Sequence, residues 1–372
     1  MRIVAAHVAE CALPLPRPVT LGPTTITKRE FIALRLVAED GTVGDAITYP
    51  RNGPIYEALQ RMAPALLDTC VTDRRATIDG YLARHVNNRA AYMKAASLAD
   101  IALWDLAAKQ AGLPLHRMLG AARHEIPVMI VAGYRLEQRT VEDLCAEVER
   151  RCEEGYERIK IMLSGTDRRL DERVIAQAYA IAGDRLCADA HWAFDGIADA
   201  AFGLRGIDGI GLRFIEDPFG PHRAGLYGDF SRMLRTPLAS GEDLPDPQAL
   251  MELSRHIDIL RIDATTCGGV SAANALMAMA DLSGKTVLPH VFLPVHAQLA
   301  GAHRAVAAVE LIPDEAEACP MFDLLEGRPD IRNGMLTIDE TPGAGFRLRW
   351  PEVVRHASKP ILTFESERTA AH

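Results

Sequence analysis

Short apolar runs recur along this chain at about 126–132, 157–163, 185–191, 211–217, 236–242, 257–263, 285–291 and 306–311. Their spacing constrains the fold more than any other feature. The steps are roughly 20–30 residues, enough for a strand, a helix and two short connections. The segments between runs are amphipathic. In TVEDLCAEVERRCEEG, Val141, Leu144 and Val148 recur at spacings of three and four, Thr140 stands where an N-cap belongs, and Gly155 supplies the stop. ERVIAQAYAIAGD repeats the pattern with Val174, Ala178 and Ile181. Eight such units favour an α/β fold closed as a parallel (β/α) barrel, although the spacing by itself also fits a doubly wound open sheet.

The flanks read differently. Residues 1–50 form a meander: TKREFIALRLVAEDGTVGDA alternates apolar and polar residues and carries an Asp40-Gly41 turn, a hairpin signal. From about 55 to 120 the pattern is helical, and MKAASLADIALWDLAAKQAGLP ends at Gly112 with Pro114 just beyond. A small α+β unit therefore precedes the barrel. From about 330 on, turns and short β runs return.

Charge and cysteine usage exclude several classes of function. A net charge of −9 without a Lys/Arg cluster argues against nucleic acid as a partner. No apolar run is long enough to cross a bilayer, so no membrane partner is expected. The seven Cys are scattered and lack a CxxC pairing, which reads as reduced thiols rather than a disulfide frame or zinc knuckle. MRIVAAHVAE has no cationic segment before a long apolar core, so a cytoplasmic protein without a signal peptide is expected.

Chemistry in such a barrel belongs at the C-terminal ends of the strands. The stretch GYERIKIMLSG sets Lys160 and Met162 on one strand face and Ile159, Ile161 and Leu163 on the other. Three further strands end RLCADAH, RFIEDP and LASGED, so Asp189, Glu216 and Glu242 terminate consecutive strands. Three converging carboxylates repel unless neutralised, and a hard divalent cation with oxygen preference, Mg2+, resolves the conflict. The next strands end DILRIDATTCGG and TVLPHVF, making Asp263 and His290 neighbours. A carboxylate on one imidazole nitrogen fixes the tautomer and readies the other nitrogen as acid or base. AAVELIP brings Glu310 to the same mouth, and His191 shares a face with Asp189. His296 and His303 fall in the following helix and read as packing or surface residues.

These residues, with the DATTCGGV and PHVF strands and the helix KAASLADIALWDLAAKQAGLPLHRMLG, resemble the enolase superfamily, specifically its mandelate racemase subgroup. The resemblance spans nearly the whole chain. It implies a modified TIM barrel, (β/α)7β, over residues 125–325. An α+β capping domain would comprise residues 1–124, completed by the C-terminal segment 326–372. One Mg2+ would be held by Asp189, Glu216 and Glu242. The implied half-reaction is abstraction of a proton next to a substrate carboxylate, giving an enediolate. Asp263 and His290 match the family dyad, and Glu310 the acid that hydrogen-bonds the substrate carboxylate. Members are commonly homo-oligomers, so the resemblance implies one here.

The second strand departs from the subgroup, where Lys-x-Lys is usual. Lys160 matches the carboxylate-binding Lys, but Met162 occupies the position of the acid/base Lys. Racemisation needs an acid/base on each face of the α-carbon, whereas dehydration can proceed from one. The DAH of this chain, with His191, is similar to dehydratases that place an additional acid/base there. The expected function is a Mg2+-dependent dehydratase of a sugar acid, a small-molecule carboxylate (aldonate or aldarate), yielding a 2-keto-3-deoxy acid. The catalytic set would be His290, Asp263, His191 and Lys160. Substrate contacts are expected from the capping loops LGPTTIT and TYPRNGP, with Tyr49 and Arg51 foremost. The alternatives are a racemase or epimerase using His191 as second base, and a metal-binding relative without turnover.

Overall fold

The structure is a computed structural model that describes residues 1–21 and 24–367. Gly22 and Pro23 of the LGPTTIT loop lie outside the described residues. The chain opens with three strands, β1 (Ile3–Leu21), β2 (Thr24–Ala38) and β3 (Val43–Thr48). β1 and β2 pair antiparallel almost throughout. Gly41, at φ 83°, makes the turn between β2 and β3, a conformation that costs glycine little. Four helices follow: α1 (Ile55–Met62), α2 (Arg74–Ala83), α3 (Arg89–Ala111) and the single turn α4 (Leu115–Met118). Alanine-rich α3 lies close against β3, where small residues let the two backbones approach.

A second body then alternates strand and helix. The strands are β4 (Glu125–Ala132), β5 (Arg158–Met162), β6 (Leu186–Asp189), β7 (Ile215–Glu216), β8 (Leu238–Ser240), β9 (Ile259–Ile262), β10 (Thr286–Pro289) and β11 (Val309–Leu311). Between them run α5 (Val141–Glu153), α6 (Arg168–Ala182), α7 (Ile197–Leu204), α8 (Ala224–Ser231), α9 (Pro247–Leu253), α10 (Gly269–Ser283) and α11 (Leu293–Ala302). The ends follow local chemistry. Thr140 and Asp143 form a reciprocal capping box at α5, Asp167 caps α6, and Gly284 at φ 68° stops α10. Neighbouring strands from β4 to β10 pair in parallel. β11 pairs with β4, and a parallel bridge between Val287 and Val306 closes the ring. Eight strands with seven helices make a (β/α)7β barrel.

The barrel interior has two layers. Met129, Cys187, Phe214, Ala239, Ile259, Leu288 and Ala308 form a separate apolar plug. Two residues further along β6, Asp189 points inward as Cys187 does, because strand side chains alternate. Charge therefore begins one layer above the plug.

The last residues divide between the two bodies. The hairpin β12 (Asp330–Arg332) and β13 (Met335–Thr337) adds antiparallel to β4. After α12 (Trp350–Arg355), β14 (Leu362–Glu365) joins β1, giving the four-stranded order β14-β1-β2-β3. The β1–β2 hairpin is tied to the barrel by Arg135, which donates to the carbonyls of Arg17, Pro18, Ala316 and Glu317. Arg29 adds a bond to the Ala318 carbonyl. Among the described residues no helix is long and apolar enough to cross a membrane.

Gly44 marks the closest approach of β3 to α3: a Cβ there would lie 2.2 Å from the Ala102 carbonyl oxygen and 2.6 Å from Leu106 Cγ. Gly44→Ala should therefore destabilise the fold by about 1–3 kcal/mol through overpacking, read as a lower urea midpoint with an unchanged slope.

Candidate functional site

Lys160, Asp189, Glu242, His290 and Glu310 line a cavity of about 410 Å³ between the barrel mouth and the capping sheet, and Glu216 and Asp263 are bonded to residues of that lining. Lys160 lies on β5, Asp189 and Glu216 end β6 and β7, and Glu310 lies on β11. Glu242, Asp263 and His290 follow β8, β9 and β10, and all seven are buried.

Lys160 is an interior charge. Its Nζ stands 2.6 Å from Glu310 Oε1, 3.0 Å from Asp189 Oδ2 and 3.1 Å from Glu216 Oε2. Burial works against the ammonium, but Asp189, Glu216 and Glu310 together hold its pKa well above the usual lysine value. Met162 lies two residues on, in register with Asp189, and forms cavity wall.

Arg261 is a second interior cation, one that sequence reasoning missed. It is fully buried on β9, with Nε 2.7 Å from Glu216 Oε1 and Nη2 2.5 Å from Glu310 Oε2 and 3.2 Å from Glu242 Oε2. Its Nη1 donates to the carbonyls of Leu288 and Pro289 at 3.0 and 3.2 Å. The alternation that aims Asp263 into the mouth also aims Arg261 inward, which was the available signal. Against burial, Arg261 and Lys160 bring the Glu310 carboxyl down to about 2. Glu310, expected at the substrate carboxylate, is an ionised partner of these two cations.

Asp217 was also missed. Left-handed backbone at φ 45° turns it sideways, where its carboxylate accepts from Ser240 Oγ, from Trp192 Nε1 at 3.2 Å and from Tyr227 OH at 3.3 Å. Burial, reinforced by Glu242 and Asp189, pushes its pKa well up. Burial likewise raises Glu216, aided by Asp189 and Glu242 and opposed by Arg261 and Lys160.

The donor chemistry fits a divalent metal. Six buried carboxyls (Asp189, Glu216, Asp217, Glu242, Asp263, Glu310) face three cations, Lys160, Arg261 and Arg51. That excess of hard oxygen donors is what Mg2+ neutralises. Oxygens of Glu216, Asp217 and Glu242 lie within 4.8 Å of one another, as do ligand atoms of Glu242, His290 and Glu310. Asp189 belongs to neither set: Lys160 takes one oxygen, and the His191 backbone N–H donates to the other at 2.9 Å.

The contacts of His290 select a tautomer. Arg51 Nη2 lies 3.1 Å from its Nε2, and a guanidinium can only donate. Nε2 therefore carries a lone pair, and Nδ1–H donates to Asp263 Oδ2 at 3.0 Å. Glu242 Oε1 is 3.5 Å from the same Nε2. Arg51 itself has left-handed backbone, φ 47°, and is anchored by Asp243, with Glu242 Oε1 at 3.4 Å. Tyr49 is buried on the cavity wall, its hydroxyl 2.6 Å from Cys319 Sγ. The His191 ring stacks on Trp192 at 4.5 Å and lines the cavity, with no hydrogen-bond partner for its ring nitrogens among the described residues. Burial lowers its pKa, against the opposing pull of Asp189 and Glu242.

The two other histidines support the site from behind. Buried His296 accepts from the Ala264 N–H at 3.0 Å and reaches the Val291 carbonyl at 2.8 Å, bridging the ends of β9 and β10. His303 lies just past α11 and bonds Asp281 and Asn274 of α10.

Comparison with known proteins gives matches over most of the chain. Residues 3–120 match the mandelate racemase / muconate lactonizing enzyme N-terminal domain, and residues 143–353 the enolase C-terminal domain-like family. The chain is 27% identical over 361 residues to an L-talarate/galactarate dehydratase of Salmonella typhimurium, covering 92% of this chain and 89% of that one. It is 26% identical over 362 residues to an L-Lys-D/L-Arg epimerase of Methylococcus capsulatus, covering 93% and 99%. A crystal structure of an L-talarate/galactarate dehydratase mutant, liganded with Mg and L-glucarate, superposes with a TM-score of 0.86 at 25% identity, covering 98% of this chain and 94% of that one.

Removing Arg261 leaves Glu216, Glu242 and Glu310 without a shared counter-ion in the dry layer. Arg261→Met should cost about 3–5 kcal/mol of stability, the cost of breaking a buried ion cluster from one side, measured by urea unfolding at neutral pH.

Proposed function

This chain belongs to the mandelate racemase / muconate lactonizing enzyme family of the enolase superfamily, and on that premise we propose that it is a Mg2+-dependent dehydratase of a sugar acid. The substrate would be an aldonate or aldarate and the product a 2-keto-3-deoxy acid. The observation that carries the reading is its one-sided proton chemistry. His290 offers an unprotonated nitrogen to the cavity, while Met162, which cannot exchange a proton, holds the matching place on β5.

Asp189, Glu216 and Glu242 would hold Mg2+, which when bound supplies positive charge against the carboxylate whose α-carbon loses a proton. Lys160, paired with three acids, adds fixed positive charge at the cavity floor. His290 Nε2 takes the α-proton, and Asp263 on Nδ1 holds the resulting imidazolium in place. The same imidazolium can return its proton to the departing β-hydroxyl. The C–H and C–O bonds break, water leaves, and the enol product tautomerises to the 2-keto acid. Arg51 covers Nε2 before substrate enters, so its guanidinium is available to substrate oxygens once displaced. Tyr49 and His191 are polar wall groups for the hydroxylated chain.

The unpartnered His191 ring supports a second reading, epimerisation with His191 as the opposing base. Exchange of the α-proton with deuterated solvent without elimination would favour it.

The direct test is a panel of aldonates and aldarates incubated with Mg2+ and assayed for 2-keto acid. One or more should react, and a panel with no 2-keto acid formed would sink the dehydratase reading. His290→Gln should lower kcat by at least about 100-fold, the usual worth of a positioned base. Met162→Lys should bring no gain; a large increase would mean that the reaction uses two bases.

A further inference from the structure

Five cations line the cavity, and four of them have partners among the described residues. Lys160 is caged by three carboxylates, Arg51 is bound to Asp243, Lys28 pairs with Glu30 at 2.6 Å, and Arg29 donates to the Ala318 carbonyl at 2.7 Å. The fifth, Lys94, has no hydrogen-bond or ion-pair partner among the described residues. It belongs to α3 and shares a helix face with Leu98 and Ile101, four and seven residues on, both buried. A lysine at the head of an apolar stripe, half-buried and facing a cavity, is costly to leave unpaired. Burial lowers its pKa, and the charges that act on it are Asp243, Arg51 and Asp263.

Hydrogen bonds of α3 locate Lys94 relative to Lys160: one turn on, Ser97 Oγ accepts from the Gly268 N–H at 2.8 Å, and Asp100 accepts from the Ser271 N–H at 2.8 Å, which sets this part of α3 over the segment that follows β9. β9 is the sixth strand of the barrel, whereas Lys160 lies on β5, the second. In a closed ring of eight, strands two and six are diametrically opposed. The cavity thus has a cation at the floor on one side and an uncommitted cation on the cap at the other. A ligand with one anionic end leaves Lys94 unanswered, and a ligand with two satisfies both.

We propose that Lys94 is the binding residue for a second, terminal carboxylate, so that the substrate is a dicarboxylate, an aldarate rather than an aldonate. This rests on the reading of the site as a sugar-acid dehydratase. It adds a recognition element from a helix of the capping domain, apart from the hairpin and loop that face the mouth.

The test compares matched substrates, galactarate and galactonate, which differ at the terminal carbon. Wild type should favour galactarate in kcat/KM, and Lys94→Met should lower the galactarate-to-galactonate ratio by about 10- to 100-fold, the worth of one charged hydrogen bond. The loss should appear chiefly in KM, and Lys94→Arg should restore part of the ratio. An unchanged ratio in Lys94→Met overturns the assignment. So does preference for a 6-phosphoaldonate, which would make the terminal group a phosphate. If wild type turns over no sugar acid, the dehydratase reading fails separately. The subsite is then decided by calorimetric titration of the unreacted galactarate with Mg2+ present: weaker binding to Lys94→Met than to wild type supports it, and equal binding overturns it.

Discussion

The interaction on which the rest of the molecule depends is the ring of opposite charges buried at the barrel mouth. Lys160 and Arg261 reach the centre from the second and sixth strands and between them contact Asp189, Glu216, Glu242 and Glu310. None of these ions could remain charged alone in a dry interior. Held together, they place carboxylate oxygens from four separate strands within a few bonds of one another. The apolar plug beneath excludes water from below, and the capping sheet limits it from above. Barrel closure is therefore more than packing: it fixes the separation of charges that no single strand could set.

The capping body is joined to this ring by polar ties at the rim. Thr48 meets Thr265 at 2.7 Å, Tyr49 meets Cys319, and Arg51 reaches across to Asp243 and His290. Arg135 secures the long hairpin through four backbone carbonyls. Directional bonds of this kind hold a particular relative placement, whereas apolar contact alone tolerates sliding. The cap thus contributes residues to the cavity at defined positions, and Arg51 stands against the Nε2 of His290.

Much of this was legible in the sequence because strand alternation has a period of two. That rule set Lys160 and Met162 inward and brought Asp189, Glu216, Glu242, Asp263, His290 and Glu310 to one end. The same rule covers Arg261, two residues before Asp263, but an arginine in an apolar strand reads as a solvated edge until its three partners are seen together. Asp217 was harder, and His191, expected at the mouth and found on the cavity wall, gets there by a turn that was not expected. Non-glycine residues at φ 45° break the alternation, and nothing in the composition of RFIEDP or CADAH signals such a turn. The apolar run at 211–217 contracts to the two-residue strand β7, with Gly211 at φ 109° before it and Asp217 at φ 45° directly after it. Lys94 was hidden because a single lysine in an alanine-rich helix carries no sign of which face meets a cavity.

The ring of charges and the proton-transfer groups have separate roles. Stabilising negative charge beside a carboxylate serves dehydration and epimerisation alike, so relatives with both activities can share one scaffold at about a quarter identity. What separates the outcomes is which faces of the α-carbon meet a group that can exchange a proton. Here one face has His290, its tautomer fixed by Asp263 on one side and Arg51 on the other. At position 162 the second strand contributes a thioether, and its Lys160 is held by three carboxylates. On the proposed reading a carbanion formed beside His290 recovers its proton from that ring, and return to the same face regenerates the starting configuration, whereas inversion would require His191. Expulsion of a β-hydroxyl is the route forward that needs no second base, which is why a single methionine carries so much weight in the functional reading.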